Sequence, residues 1–499
     1  MNENWFCEQI SNLNVQENRL TALSEIRIRL YEISETSDVQ LETLITNRLL
    51  NSPEFIECLN CKNEATEQCE LTADILSICM SHLSLEQSTL PTILERTLTN
   101  PRSSIKTIVF NTILKQLERQ RNKKKYVQIS TELLIHILNG LNEDDSKVGL
   151  PAIGILTIVL EQHINDGCMK NKLLDMLTSN EIVKCRVYEL AVNLAKQSAS
   201  MLYQVEFLLD RALSELDNDD VLLQVNILEI LAALAEQNHG LLYLENRQVF
   251  EIISRRVENV DQNPIDQLLI PGIMKFFGKT ALVQPQKIIV DYSHMMQCLF
   301  ESILSENVSI LPAAFDTFAN LTQTKKGKQL LDKYYPALIK ETFEAMSSYL
   351  RNLSTDLKNR AFNTLEMVFS TESSNQTDIE DLFQKWFKYL AGEESMQFLM
   401  DYCRNPFPDI KVACLSFIKS VCFHKWGLVA LKNTAGFVEF LLDRKIEFDK
   451  EAKYKKFELI SLLADTDVFD MQINLQLRTY VNEGPYFVQS ILDIATEGN

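Results

Sequence analysis

The chain has 499 residues, of which 46% are hydrophobic and 23% charged, with only 13 glycines and 12 prolines. This composition favours ordered helices over a disordered chain or a turn-rich β protein. The 49 basic against 68 acidic residues give a net charge of −19, which repels phosphate backbones, so we expect no nucleic-acid partner.

The N-terminus and the apolar segments carry no targeting pattern. The start MNENWFCEQI lacks the basic residues and apolar core of a secretory signal, and the longest apolar run, residues 150–160, is about half of a membrane span. We therefore expect no membrane partner and a soluble, cytoplasmic protein, with the nucleus as a second location. The 11 cysteines are then expected to be reduced thiols.

The sequence of residues 1–95 indicates divergent helical repeats. This region contains a group of cysteine and histidine side chains, namely Cys58, Cys61, Cys69, Cys79 and His82. A zinc finger or ribbon needs two closely spaced ligand pairs, and only Cys58 and Cys61 form one. We therefore predict buried thiols, no metal and no cofactor, with a zinc site as the alternative.

A run of basic residues lies between two predicted helices, shortly after residue 96. It comprises Arg119, Arg121, Lys123, Lys124 and Lys125. It contains no aromatic residues that would stack on bases, so we interpret it as a solvated linker between helices. A nuclear-import signal and a contact for an acidic partner are the alternatives.

Residues 96–470 predict a repeat array, which is clearest in two successive copies of one helical unit. The first copy has Val183, Val187, Leu190 and Leu194 at i, i+4, i+7 and i+11, and the second has Val221, Val225, Leu228 and Ala232 at the same offsets. Each stripe follows an Asn or Asp turn and predicts the buried face of a helix.

Further stripes begin at Ile105, Val148, Ile265, Ile310, Leu357 and Ile410, with a weaker copy around Phe457. The mean step of roughly 43 residues is typical of HEAT or armadillo repeats and too long for ankyrin or tetratricopeptide units. The predicted fold is therefore an all-α, α-solenoid array of HEAT/armadillo-like repeats. The polar segment 371–378 is the longest gap in the pattern.

Lysine occupies the second position of four stripes, at Lys106, Lys184, Lys358 and Lys411. The preceding turns contain Asn100, Asn180, Asp356 and Asp409. This pattern predicts a ladder in which the turn residues accept hydrogen bonds from lysines of neighbouring repeats. Surface lysines that merely follow turns are the alternative.

The segment GIMKFFGKT, residues 272–280, resembles a phosphate-binding loop but separates its glycines by five residues instead of four. Its apolar residues favour helix packing over an exposed backbone cradle. No other catalytic motif is found and the six histidines are scattered, so we predict that the protein is not an enzyme.

Residues 471–499 predict a C-terminal capping segment, because Gly484-Pro485 forces a turn between two apolar stretches. Partner contact is the alternative, carried by Arg478, Tyr480, Glu483 and Tyr486. In the array, the helix after each Asn/Asp turn is expected to line the concave side. Its polar positions off the core stripe, Arg186, Glu189 and Gln224, are therefore further candidate partner contacts.

Five segments together carry a family resemblance: NEIVKCRVYEL from Asn180, IPGIMKFFG from Ile270, NPFPDIKVACLSF from Asn405, GFVEFLLDR from Gly436 and LRTYVNEGPYFV from Leu477. Trp386 and Trp426 also fall at matching places. Over roughly residues 100–490 the chain resembles the family of the 26S proteasome non-ATPase regulatory subunit 5.

The resemblance implies a non-catalytic, HEAT-repeat chaperone for assembly of the proteasome regulatory particle base. Its expected partners are the C-terminal domain of a proteasomal ATPase subunit and non-ATPase subunits of the base subcomplex, and the free chain is expected to be a monomer absent from the mature proteasome. A HEAT/armadillo transport carrier or a phosphatase-type scaffold is the alternative. Neither tryptophan has the Asn four residues later that a peptide-gripping armadillo groove uses.

Overall fold

A computed structural model describes residues 3–36, 48–60, 67–82, 97–100, 102–122, 129–259, 264–370 and 379–487, together with residues 46 and 94. Throughout these ranges the chain forms helices and turns and no strand, which confirms the predicted all-α class. Cys61, the lysines at 123–125 and the polar gap at 371–378 lie outside the described residues. The chain divides into two compact units, Met1–Asn218 and Asp219–Asn499. The predicted boundaries at residues 95 and 470 stay predictions.

The first unit contains ten helices in the described ranges. They are α1 (Glu3–Asn12), α2 (Arg19–Thr36), α3 (Pro53–Leu59), α4 (Glu67–His82), α5 (Ser103–Asn122), α6 (Thr131–Asn139), α7 (Ser146–Val159), α8 (Gly167–Met176), α9 (Glu181–Ala195) and α10 (Ala199–Ser214). Short 3-10 turns extend three of them, at Gly140–Asn142, Leu160–Gln162 and Glu215–Asp217. Within this unit α2, α4, α5, α7 and α9 pack one against the next.

The second unit has sixteen helices among the described residues. The first eight are α11 (Val221–Leu234), α12 (Asn238–Asn246), α13 (Val249–Glu258), α14 (Pro264–Val283), α15 (Ser293–Leu304), α16 (Leu311–Gln323), α17 (Lys325–Tyr334) and α18 (Pro336–Asn352). The others are α19 (Thr355–Phe369), α20 (Glu380–Ala391), α21 (Ser395–Cys403), α22 (Pro408–Cys422), α23 (Lys425–Asn433), α24 (Phe437–Leu442), α25 (Lys450–Ala464) and α26 (Met471–Glu483). A π-helical turn, Lys287–Asp291, and a 3-10 turn, Gly392–Glu394, interrupt the series.

Two rows of helices run through the second unit. In one row α11, α14, α16, α19, α22 and α25 each pack against the next, and in the other α13, α15, α18 and α20 do the same. Each helix thus buries its apolar face between neighbours in its own row and the opposite row, as in HEAT and armadillo repeats. Such stacking is the α-solenoid arrangement that the repeat spacing predicted.

The first predicted stripe is confirmed as core, since Val183, Val187, Leu190 and Leu194 are all at most 2% exposed. The second stripe is partly wrong. Leu228 and Ala232 are buried as predicted, but Val221 and Val225 are only half-buried. The buried face of α11 extends to Leu223, Ile227, Leu231 and Leu234, which lie off the predicted stripe. The sequence VLLQVNILEILAAL is apolar nearly all round, so its period does not distinguish the faces.

The lysine ladder exists, but its acceptors differ from those predicted. Lys106 pairs with Glu143 at 2.6 Å and Lys184 with Glu215 at 3.4 Å, and each of these glutamates follows the next helix along the chain. Lys411 pairs with Glu447 at 3.0 Å, and this glutamate follows α24, the second helix after α22. Asn180 instead caps α9, where its side-chain oxygen accepts from the Val183 N–H. Lys358 departs from the pattern and donates to the Arg351 carbonyl.

The segment that resembles a phosphate-binding loop lies in the interior of α14. Ile273, Met274, Phe276 and Phe277 are buried, and the Thr280 hydroxyl donates to the Phe276 carbonyl at 2.9 Å. Its backbone N–H groups belong to a regular helix, so they do not curl into a cradle. The interpretation as helix packing is confirmed.

Candidate partner-binding surface

Arg186 was predicted to be a free polar position and is instead buried, with 6% of the residue exposed. Its guanidinium donates to the backbone carbonyls of Leu141, at 2.9 Å, and Glu143. Since Glu143 also accepts from Lys106 through its side chain, the turn at Glu143 is held by helices on both sides. Arg186 is buried because its side chain satisfies carbonyls of the preceding repeat, and its role as a partner contact stays a prediction.

Glu189 and Gln224 are also less accessible than predicted. Glu189 is half-buried, and burial raises the pKa of its carboxyl while the neighbouring Arg186 opposes the shift. Gln224 is 5% exposed, and its side-chain oxygen accepts from Arg256 at 2.7 Å. The repeat helices therefore use these polar positions for packing between repeats. The role of Glu189 and Gln224 in partner binding stays a prediction, and neither residue lies on an exposed surface.

At the C-terminal end of the second unit, Arg444 contacts two of the four predicted residues. Its guanidinium lies over the ring of Tyr480, which is 5% exposed, and bonds to the Glu483 carboxylate at 3.1 Å. It also donates to the carbonyls of Tyr480, at 3.0 Å, and Gly484, at 2.8 Å. We call this set the Arg444 clamp. It supports capping, because it satisfies carbonyls at the end of α26.

Arg478 and Tyr486, the other two predicted residues, are exposed. The Tyr486 hydroxyl donates to the Lys450 carbonyl at 3.4 Å, and 48% of the residue remains accessible. Arg478 lies on α26 at i+7 from Met471 and i+3 from Leu475, so the three side chains share one side of the helix. Met471 is 91% exposed and Leu475 68% exposed. We call Met471, Leu475 and Arg478 the α26 face.

The α26 face was missed in the sequence because Met471 and Leu475 have the spacing of a core stripe. In the structure the buried residues of α26 are Leu477 and Tyr480, which lie on the opposite side. Large apolar side chains beside an arginine are typical of protein-binding surfaces and have no catalytic chemistry of their own. The arrangement therefore fits recognition of another protein.

The described residues offer little to a metal or a membrane. No cluster of three or more His, Cys, Asp or Glu side chains in them is placed to hold a metal ion. The side chains of Cys58, Cys69 and Cys79 are buried. Within the same ranges no helix has both the length and the apolar composition to cross a bilayer.

The family model described as "Proteasome non-ATPase 26S subunit" matches residues 2–499. The chain belongs to this family. The resemblance inferred from the sequence motifs is thereby confirmed, and it extends through the first 95 residues, where the motifs were weak. A Drosophila melanogaster relative, "26S proteasome non-ATPase regulatory subunit 5", is 40% identical over 504 residues, which cover 100% of this chain and 99% of the relative.

Mammalian members of the family match a large part of the chain. The Bos taurus protein of the same name is 31% identical and the Homo sapiens protein 29% identical, each over 81% of this chain and 82% of the relative. Among solved structures, yeast importin-β (Kap95p) is similar with a TM-score of 0.55 and 12% identity, over 94% of this chain and 62% of that one. At this identity the likeness shows the helical repeat fold alone.

Proposed function

We propose that the protein is a non-catalytic chaperone for assembly of the 26S proteasome regulatory particle base. It binds the C-terminal domain of a proteasomal ATPase subunit, associates with non-ATPase subunits of the base subcomplex, and leaves before the mature proteasome forms. It acts in the cytoplasm and is a monomer when free.

Family membership supports a proteasome-related role, and the names of the relatives describe regulatory subunits that are not ATPases. A helical repeat array suits a chaperone because it presents an extended surface on a rigid support. Holding a folded domain until it is assembled requires contact area and reversible binding, and it requires no reactive group.

The observation that carries the proposal is the α26 face. Met471 and Leu475 project from the last described helix with most of their surface accessible, and Arg478 lies beside them. Exposed apolar side chains next to an arginine are the usual anchors of a protein interface. The Arg444 clamp holds the end of α26, so the face is presented on a fixed helix.

A transport carrier or phosphatase-type scaffold shares this architecture, and the likeness to importin-β supports the fold equally for each. A peptide-gripping armadillo groove, however, needs exposed Trp and Asn four residues apart. Trp386 is fully buried and its indole N–H donates to Asp332 at 3.0 Å, and Leu390 and Ala430 follow the two tryptophans at that spacing. We therefore favour the chaperone.

The experiment is capture of separately expressed proteasomal ATPase subunits and of purified mature 26S proteasome by the immobilised full-length chain. We expect one ATPase subunit to be retained through its C-terminal domain and the mature proteasome to flow through. Retention of the mature proteasome, or of no ATPase subunit, would reject the chaperone.

A further inference from the structure

Two cavities border α23 within the second unit. One, of about 270 Å³, lies between α20 and α23, and the other, of about 460 Å³, lies between α23 and the turn that contains Asp467 and Val468. Val429 and Asn433 line both cavities. The two spaces are therefore adjacent along α23, and we call them together the α23 groove.

Trp426 lines the smaller cavity and has an incomplete set of hydrogen bonds. Its indole is stacked on His424, with ring centroids 5.7 Å apart, and packs on Phe387 at 5.3 Å. The indole N–H is buried, yet no acceptor for it exists among the described residues. A buried donor that is left unpaired costs free energy, so this wall of the cavity is not fully satisfied in the free chain.

The walls of the smaller cavity suit one large apolar side chain. Phe387, Met396, Val429 and Ala430 line it beside Trp426. Val429 is 40% exposed, so an inserted apolar side chain can reach it. Apolar walls with a few placed polar groups are typical of sites that bind a ligand through one inserted group.

The charges around the groove favour an acidic occupant. Three lysines, Lys388, Lys425 and Lys432, line it against two carboxylates, Glu393 and Asp467, although the whole chain has a net charge of −19. Lys388 pairs with Glu393 at 2.7 Å, and Lys432 donates to the Val468 carbonyl at 2.8 Å. Lys425 is exposed at the start of α23 and adds a further ammonium group. Local positive charge of this kind selects acidic partners.

We propose that the α23 groove binds a short acidic segment of a partner protein, which inserts one large apolar side chain beside Trp426 and places its carboxylates near Lys425 and Lys432. The inference deepens the proposed function and rests on it only in taking the occupant to be part of a protein. The groove is a second contact surface, distinct from the α26 face.

The probe is a short fluorescein-labelled peptide with a single leucine between glutamates, titrated with the full-length chain and followed by fluorescence anisotropy. We expect saturable binding that weakens about tenfold in Val429→Asp and about threefold or more in Lys425→Glu and Trp426→Phe. The matched control, Lys147→Glu, makes the same charge change at an exposed lysine outside the groove and should bind as the wild type does.

Equal binding of a peptide with lysines in place of the glutamates, or unchanged affinity in Lys425→Glu, would overturn the proposal. Lys425 is exposed, so its variant remains informative even if Val429→Asp unfolds the chain. The oligomeric state of the chain is measured by light scattering. Peptide binding by a dimer of the chain alone would mean that the groove contacts a second copy of the chain, which would also overturn the proposal. Retention of an ATPase subunit by a chain that binds no peptide would reject the groove and leave the proposed function standing. Peptide binding by a chain that retains no ATPase subunit would reject the proposed function and leave the groove proposal standing.

Discussion

The guanidinium of Arg444 stacks on the ring of Tyr480, with the guanidinium carbon 3.6 Å from the ring centroid. The same group donates to the carbonyls of Tyr480 and Gly484, so one side chain covers an aromatic face and closes the end of α26. Burial raises the pKa of Tyr480, and the adjacent Arg444 opposes that shift. The end of α26 is therefore fixed by a residue in the turn after α24.

Arg444→Ala is expected to lower the free energy of unfolding by about 2–3 kcal/mol, because it removes the side-chain donor to the Gly484 carbonyl, the ion pair with Glu483 and the stacking on Tyr480. Chemical denaturation measures the loss. Lys445→Ala, at the exposed neighbouring position, is the control and should stay within about 0.5 kcal/mol of the wild type. A similar small change in Arg444→Ala would show that the clamp does not stabilise the end of the array.

Arg186 is expected to act on stability and not directly on partner binding. Arg186→Ala leaves the carbonyls of Leu141 and Glu143 unpaired and should cost about 2 kcal/mol or more. Gly149→Ala should reproduce part of this loss, because a Cβ there would lie 2.5 Å from the Arg186 guanidinium carbon. Melting curves test both variants. Weakened ATPase capture by Arg186→Ala at an unchanged melting temperature would instead assign this residue to the interface.

The repeat pattern predicted the fold because a stripe of apolar residues is a local property of each helix. For α9 the prediction was accurate, since polar residues interrupt the other faces. For α11 it held only in part, because the helix is apolar on most sides and its sequence period does not single out one buried face. Val225 and Leu228 of the predicted stripe do lie near Gly272 of α14, but Val225 stays half-buried.

The candidate site was less predictable for a related reason. Arg186 is polar and lies off the stripe, which is typical of an exposed residue, but its partners are more than 40 residues away in the chain. The glutamate acceptors of the lysine ladder are also remote, at 37, 31 and 36 residues from their lysines. Conversely, Met471 and Leu475 have core spacing and are exposed, because the buried face of α26 runs through Leu477 and Tyr480.

Lys456 is expected to make stability depend on pH in the alkaline range. It is 2% exposed, its ammonium group donates to the Asp443 carbonyl at 2.6 Å, and burial lowers its pKa to about 8 against the opposing effect of Glu447. The unfolded lysine titrates near 10.4, so between about pH 8 and 10.4 the unfolded chain holds more protons. The free energy of unfolding attributable to this group therefore rises with pH in that window.

The measurement is denaturant unfolding of the wild type and Lys456→Met at about pH 7.5 and 9.5. The wild type should gain about 1–2 kcal/mol relative to the variant over this interval. Lys445→Met, which alters an exposed lysine nearby in sequence, should run parallel to the wild type. Parallel curves for Lys456→Met would mean that Lys456 is charged and well solvated in the folded chain.

The α26 face is expected to contribute most of the affinity for the proteasomal ATPase domain that the proposed function requires. Leu475→Glu combined with Arg478→Ala should weaken capture at least tenfold while the melting temperature stays unchanged, because both side chains are exposed. Tyr203→Glu, at a residue that is 78% exposed in the first unit, is the matched control. Equal capture of the ATPase domain by the wild type, the double variant and Tyr203→Glu would mean that α26 caps the array and does not bind the partner.

Association with unassembled ATPase subunits, and absence from the finished particle, is the property on which the proposed role depends most directly. The tagged full-length chain, expressed at its natural level in growing cells, is followed on native gels, and each band that contains it is identified by mass spectrometry. The chaperone role predicts co-migration with proteasomal ATPase subunits in small base intermediates and no signal in the mature 26S band. Stoichiometric presence in the mature 26S band, or intermediates without any ATPase subunit, would contradict it.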